Sequence, residues 1–90
     1  MTKEKEAILP AGNEVVEKER NLVLFNDDVN TFDFVIQTLV EVCEHTLEQA
    51  ETCAWITHFK GKCAVKSGSY DKLMPYKQAL LEKHLTVSIQ

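Results

Sequence analysis

Short apolar runs of differing period divide the chain into elements. Leu22-Val23-Leu24-Phe25 is continuously apolar and is closed by Asn26-Asp27-Asp28, a turn-favouring cluster. This predicts a strand over 21–26, near the middle of a small sheet and covered on one face. Val35, Leu39, Val42 and Cys43 then fall on one helical stripe. The helix they predict runs to about Glu44, capped by Asn30 or Thr31, with Asp33 favoured in its first turn by the helix dipole. Thr46-Leu47-Glu48-Gln49 has the pattern of a capping box and opens a second helix to about Phe59, which Gly61 stops. Lys62 to Lys66 alternates, with Cys63 and Val65 on one face, and reads as a strand followed by a turn at Ser67-Gly68-Ser69. A third helix starts near Tyr70 or Lys72 and ends about Lys83; Pro75 obscures its start, because proline suits only a first turn. Leu85, Val87 and Ile89 alternate with Thr86, Ser88 and Gln90 as a closing strand does. The order β-α-α-β-α-β predicts a small single domain of the α+β class, a three-stranded antiparallel sheet with three helices on one side.

The first nineteen residues break this pattern. Lys3-Glu4-Lys5-Glu6 is mixed charge, Pro10-Ala11-Gly12-Asn13 is a breaker cluster, and Glu17-Lys18-Glu19-Arg20 is charged again. Too few apolar side chains are present to offset the entropy of ordering this segment. The expectation is a flexible tail over 1–19 and a core domain over 20–90. Ninety residues bury one modest core, so a shallow surface pocket is the realistic form of site.

Charge and cysteine usage narrow the partners. A formal net charge of -4 argues against nucleic acid. No apolar run is long enough for a membrane span and no signal-peptide pattern is present, which predicts a cytoplasmic protein. Between Arg20 and Lys60 there is no lysine or arginine, but there are the acids Asp27, Asp28, Asp33, Glu41, Glu44, Glu48 and Glu51. Lys60, Lys62, Lys66, Lys72, Lys77 and Lys83 then face only Asp71 and Glu82. Cys43, Cys53 and Cys63 form no CxxC pair, so zinc and dithiol chemistry are poorly supported and three apolar core thiols are expected. Nothing has the form of a nucleophile elbow, a phosphate loop or a zinc motif, and no cofactor is expected.

The candidate chemistry lies at Asn26-Asp27-Asp28 and His58. Two carboxylates and an amide sit where a strand stops and a helix starts, at the rim of an apolar surface. Such acceptors suit a small cation with an apolar body attached. Asp27, Asp28 and His58 could also bind a metal or act as an acid/base pair, although adjacent residues of an extended chain point to opposite faces.

The ordered set Leu22-Val-Leu-Phe-Asn-Asp-Asp28, Phe34-Val35-Ile36 and His58-Phe-Lys-Gly61-Lys-Cys-Ala-Val65 resembles ClpS, the bacterial adaptor that recognises N-degrons for the Clp AAA+ protease. The resemblance covers about residues 20–90. It implies an adaptor, not an enzyme, that binds proteins whose first residue is large and apolar (Leu, Phe, Tyr or Trp). The α-amino group would be held by Asn26, Asp28 and His58, with Asp27 beside them in the same motif. The first side chain would enter a pocket of Leu24, Phe32, Val35, Ala54 and Thr57. The implied partners are N-degron substrates and the N-terminal domain of a ClpA- or ClpC-type chaperone, served by a monomer. A free amino terminus is a cation with three donors, so an amide oxygen, a carboxylate and a neutral imidazole nitrogen match it chemically.

The chain departs from the family pattern at Val29-Asn30-Thr31-Phe32, where the family usually has Tyr-Thr-Pro-Met. Phe32 and Ala54 stand at positions usually held by methionine, and Thr57 at one usually held by valine. These changes predict a reshaped pocket able to admit bulkier or β-branched first residues. The implied tail, like the family's, would be engaged by the unfoldase during hand-off. Two other readings stand beside this one: a docking module similar to the C-terminal domain of the ribosomal stalk protein, and a small metal-binding hydrolase using Asp27, Asp28 and His58.

Overall fold

A computed structural model describes residues 18–90. The tail expected over 1–19 therefore lies, up to residue 17, outside the described residues. The elements are β1 (Arg20–Phe25), α1 (Phe32–Cys43), α2 (Leu47–Lys60), β2 (Lys62–Gly68), α3 (Tyr70–Glu82) and β3 (Thr86–Ile89). The α+β architecture is the expected one, with three helices and a three-stranded antiparallel sheet in the order β2-β1-β3. The apolar strand β1 is central because its residues pair on both edges: Leu24 faces Cys63 on one side and Val87 on the other.

The core lies between one sheet face and the helices. Leu22 and Leu24 from β1, Leu39 and Cys43 from α1, Ala50 from α2, Val65 from β2, Leu73 and Leu80 from α3, and Leu85 with Val87 at the final strand make one buried cluster. Val35 and Val42 pack against it from the same α1 stripe. Burying a Leu side chain contributes about 1.5–3 kcal/mol, so this cluster carries the fold.

The helix ends follow the sequence. Thr31 caps α1 by accepting from the Phe34 amide at 3.1 Å. Thr46 and Gln49 form the full capping box of α2, with bonds of 3.1 and 2.9 Å in opposite directions; a cap of this kind contributes about 1 kcal/mol. Gly61 ends α2 at φ 96, a left-handed conformation that glycine adopts without steric penalty.

Two local expectations are corrected. The turn at Ser67-Gly68-Ser69 is absent: β2 continues through Gly68, because Ser67 and Gly68 still pair with Asn21 and Arg20 and the Ser67 hydroxyl donates to the Asn21 side-chain oxygen at 3.0 Å. Ser69 is then the cap of α3, accepting from the Lys72 amide at 3.2 Å. Pro75 sits inside α3 rather than in its first turn. It removes the bond that would have reached the Asp71 carbonyl, and the fully buried Leu73 and Leu80 on either side hold the helix together regardless. In β2 the register slips between Leu22 and Val23, whose partners are Lys66 and Ala64. Val65 is the bulged residue, and its carbonyl is bonded by the Nε2 of His45 at 2.7 Å.

Candidate functional site

The end of β1 and the end of α2 are stitched together by one backbone bond. The left-handed turn at Gly61 swings its carbonyl back to accept from the Asn26 amide at 3.0 Å. Asn26 and His58, thirty-two positions apart in the chain, are brought to one rim in this way.

Behind the rim opens a cavity of about 540 Å³. All nine residues singled out in the sequence line it: Asn26, Asp27, Asp28 and His58, together with Leu24, Phe32, Val35, Ala54 and Thr57. Leu24, Ala54 and Thr57 are buried and Val35 is half-buried, so they form its inner part. The Thr57 hydroxyl donates to the Cys53 carbonyl at 2.8 Å, which satisfies its proton within the helix and keeps this buried polar group from opposing an apolar occupant. Ala54 leaves room where a longer side chain would fill the inner wall.

The two aspartates are used differently. Asp27 faces its own turn: one carboxylate oxygen accepts from the amides of Val29 at 2.9 Å and Asn30 at 2.8 Å, and the other accepts from the Asn30 side chain at 2.9 Å. Asn30 in turn donates to the His84 carbonyl at 2.9 Å, bracing the turn against the approach to β3. Burial pushes the Asp27 carboxyl upward, but bonds from Asn30, Val29 and Thr86 outweigh it and hold the group below its ordinary value. Asp27 is therefore a framework residue of the rim. Asn26, Asp28 and His58, by contrast, are exposed, and among the described residues none of their side chains takes part in a hydrogen bond.

The lowered Asp27 value fixes the sign of a pH effect. Its stabilising contribution is complete above the ordinary carboxylate range and fades as pH falls through the folded value. Urea unfolding should thus show stability declining below about pH 4, with a shallower decline in Asp27→Asn; equal declines would mean that Asp27 does not brace the turn.

Sequence reasoning overlooked Phe25, Asn30, Trp55, Phe59 and Leu85, which also line the cavity. The signal for two of them was available, since Trp55, His58 and Phe59 share one helical face at spacings of three and four. Cys43 lies in the core cluster and Cys53 packs against it, while Cys63 stands outside it. Cys43 is buried, and Cys53 and Cys63 are half-buried and free. Burial pushes the Cys43 thiol up to about 11, and burial with the neighbouring Cys63 thiol raises Cys53. The charge asymmetry of the sequence does not separate cleanly in space, because Lys60 and Lys62 flank Gly61 at the acidic rim. No helix is long and apolar enough to cross a membrane among the described residues.

Comparison with known proteins points to one family. The family model for the ATP-dependent Clp protease adaptor protein ClpS matches residues 16–88. The ATP-dependent Clp protease adapter protein ClpS of Acetivibrio thermocellus is 35% identical over 79 residues, covering 77% of this chain and 79% of its own length. The human E3 ubiquitin-protein ligase UBR2 is 38% identical over 72 residues, 78% of this chain but only 4% of that much longer protein. The structure of Agrobacterium tumefaciens ClpS2 bound to L-phenylalaninamide superposes with a TM-score of 0.75 at 22% identity, covering 83% of this chain and 98% of that one; at this identity the likeness speaks for the fold. Together with the apolar strand, its Asn-Asp-Asp end and the His58–Gly61 turn that meets it, these matches establish that the chain belongs to the ClpS family of Clp protease adaptor proteins.

Proposed function

We propose that this protein is an adaptor that binds N-degrons, proteins exposing a large apolar first residue, through their free α-amino group, and delivers them to a Clp AAA+ chaperone-protease. The observation that carries the reading is the pairing of three uncommitted acceptors, Asn26, Asp28 and His58, with an apolar cavity directly behind them. An ammonium group offers three donors to those acceptors, while the attached side chain enters among Leu24, Phe32, Val35, Ala54 and Thr57. Asp27 acts by shaping the turn. The ligand named with the Agrobacterium relative supports the reading, since L-phenylalaninamide combines a free amine with an apolar ring. No catalytic step is assigned.

The proposal carries further parts from family membership. Residues 20–90 form the adaptor core and residues 1–19 a separate segment engaged by the unfoldase. The chaperone partner is of ClpA or ClpC type and contacts the core through its own N-terminal domain. The adaptor works as a monomer in the cytoplasm. Phe32 and Ala54 reshape the pocket toward bulkier first residues. A metal-dependent hydrolase is less well supported, because no three His, Cys, Asp or Glu side chains come together as a metal site among the described residues. A stalk-like docking module has no need of the three acceptors.

The test is a fluorescence-anisotropy titration with a Phe- or Leu-initiated peptide, free and acetylated at its first nitrogen. Acetylation removes the charge and leaves acceptors unpaired, at about 1–3 kcal/mol each. Affinity should fall at least roughly 30-fold, about 2 kcal/mol. Equal affinity for the two peptides would exclude α-amino recognition.

A further inference from the structure

One part of the cavity wall is not used by the first residue of a substrate. Trp55 and Phe59 lie one turn apart on α2, with ring centroids 4.7 Å apart and planes 10° from parallel. Phe32, from the start of α1, meets Trp55 edge-on at 5.3 Å. His58 stands edge-on to Phe59 at 4.7 Å and to Phe32 at 6.3 Å. Trp55 is nevertheless 53% exposed and Phe59 65% exposed. Two stacked aromatic rings on the surface of a small domain are costly in water and mark a contact surface.

This surface is continuous with the pocket, because Phe32, Trp55, His58 and Phe59 all line the same cavity. Its volume of about 540 Å³ is of a size that takes a drug-sized ligand, typically about 300–1,000 Å³, so a single side chain among Leu24, Phe32, Val35, Ala54 and Thr57 leaves part of it unfilled. Direction follows from His58. A polypeptide held by its ammonium group at Asn26, Asp28 and His58 continues from that rim, and the rings adjoining His58 are Phe32 and Phe59. Charge limits the occupant. Asp28 and Asp33 lie near Phe32 in the chain and Glu51 one turn before Trp55, against Lys60 beside Phe59; the balance is acidic, so an acidic side chain is disfavoured while an apolar one gains contact with the rings.

We propose that the stacked Trp55–Phe59 pair, with Phe32 shared between it and the first-residue pocket, is a second subsite that seats the side chain of the substrate's second residue and selects large apolar or aromatic residues there. This rests on the N-degron reading above. It makes the recognised signal a dipeptide rather than a single residue.

The test uses peptides that begin with Phe and differ only at residue two, as Leu, Trp, Gly, Lys or Asp, plus an acetylated Phe-Leu peptide. Dissociation constants are measured by anisotropy. In the unaltered protein, Phe-Leu and Phe-Trp should bind about tenfold tighter than Phe-Gly, as expected for partial burial of one apolar side chain, with Phe-Asp weakest. In Trp55→Ala/Phe59→Ala the Leu-to-Gly ratio should collapse to roughly twofold, while Trp55→Phe keeps most of it. If the double variant fails to fold, Phe59→Ser at its exposed position carries the same comparison. A Leu-to-Gly ratio that is unchanged by the substitutions, or near one in the unaltered protein, overturns the subsite while leaving amino-terminal recognition intact. Lys binding as tightly as Leu assigns the preference to charge and overturns it too. Free and acetylated Phe-Leu binding alike overturns the underlying reading and the subsite with it.

Discussion

The double variant Asp28→Ala/His58→Ala should lose about 2–4 kcal/mol of affinity for a Phe-initiated peptide while unfolding at nearly the same urea concentration as the parent. In the proposed function each of these side chains would offer the ammonium group one charge-assisted bond, worth roughly 1.5–3 kcal/mol. Both grip the same group, so the two losses add incompletely. Stability is spared because both side chains are exposed and make no hydrogen bond among the described residues, and removal of such groups usually changes stability by no more than about 0.5 kcal/mol. The paired measurements separate two roles. Loss of binding with an unchanged midpoint marks the residues as ligand contacts. Loss of both would show that the rim holds the domain together, and unchanged binding would end the α-amino assignment.

Leu24→Ala should behave in the opposite way. Leu24 is 1% exposed, sits on the central strand between Cys63 and Val87, and also faces the cavity. Truncating a buried Leu costs about 2–5 kcal/mol, through lost transfer energy and the space left behind. For a domain whose total stability is of order 5–15 kcal/mol, that is a large fraction. Thermal melting followed by circular dichroism should register it as a fall of about 10–20 °C. Peptide affinity measured well below the new midpoint should fall less than in the rim variant, because the three acceptors remain. A midpoint within a few degrees of the parent would mean that the strand is not the keystone of the core.

Much of this architecture was legible in the chain. The continuous apolar run announced a central strand, Thr46 and Gln49 announced a helix start, and Gly61 announced its stop. These signals are local, and here no distant partner opposes them. The family resemblance carried by the ordered set from Leu22 to Val65 named nine of the fourteen residues that line one cavity. What escaped depends on partners distant in sequence. The extension of β2 through Ser67 and Gly68 follows from pairing with Arg20 and Asn21, which no turn propensity encodes. Pro75 persists in a helix because Leu73 and Leu80 are clamped by the sheet. The separate duties of Asp27 and Asp28 follow from the way the turn closes on Asn30 and His84. Trp55 and Phe59 lie off the stripe that faces the core and are exposed, so helical periodicity alone gives them no role.

The placement of β1 between two partners has a consequence for how the site behaves over time. Amide protons of Leu22 to Leu24 should be among the slowest to exchange with solvent, because freeing them means breaking both sheet edges at once. The acceptors at the end of that strand are thus anchored to the least labile part of the molecule. In the proposed function a captured chain end would meet a backbone frame that is already set, leaving only the exposed side chains of Asn26, Asp28 and His58 to be ordered on binding.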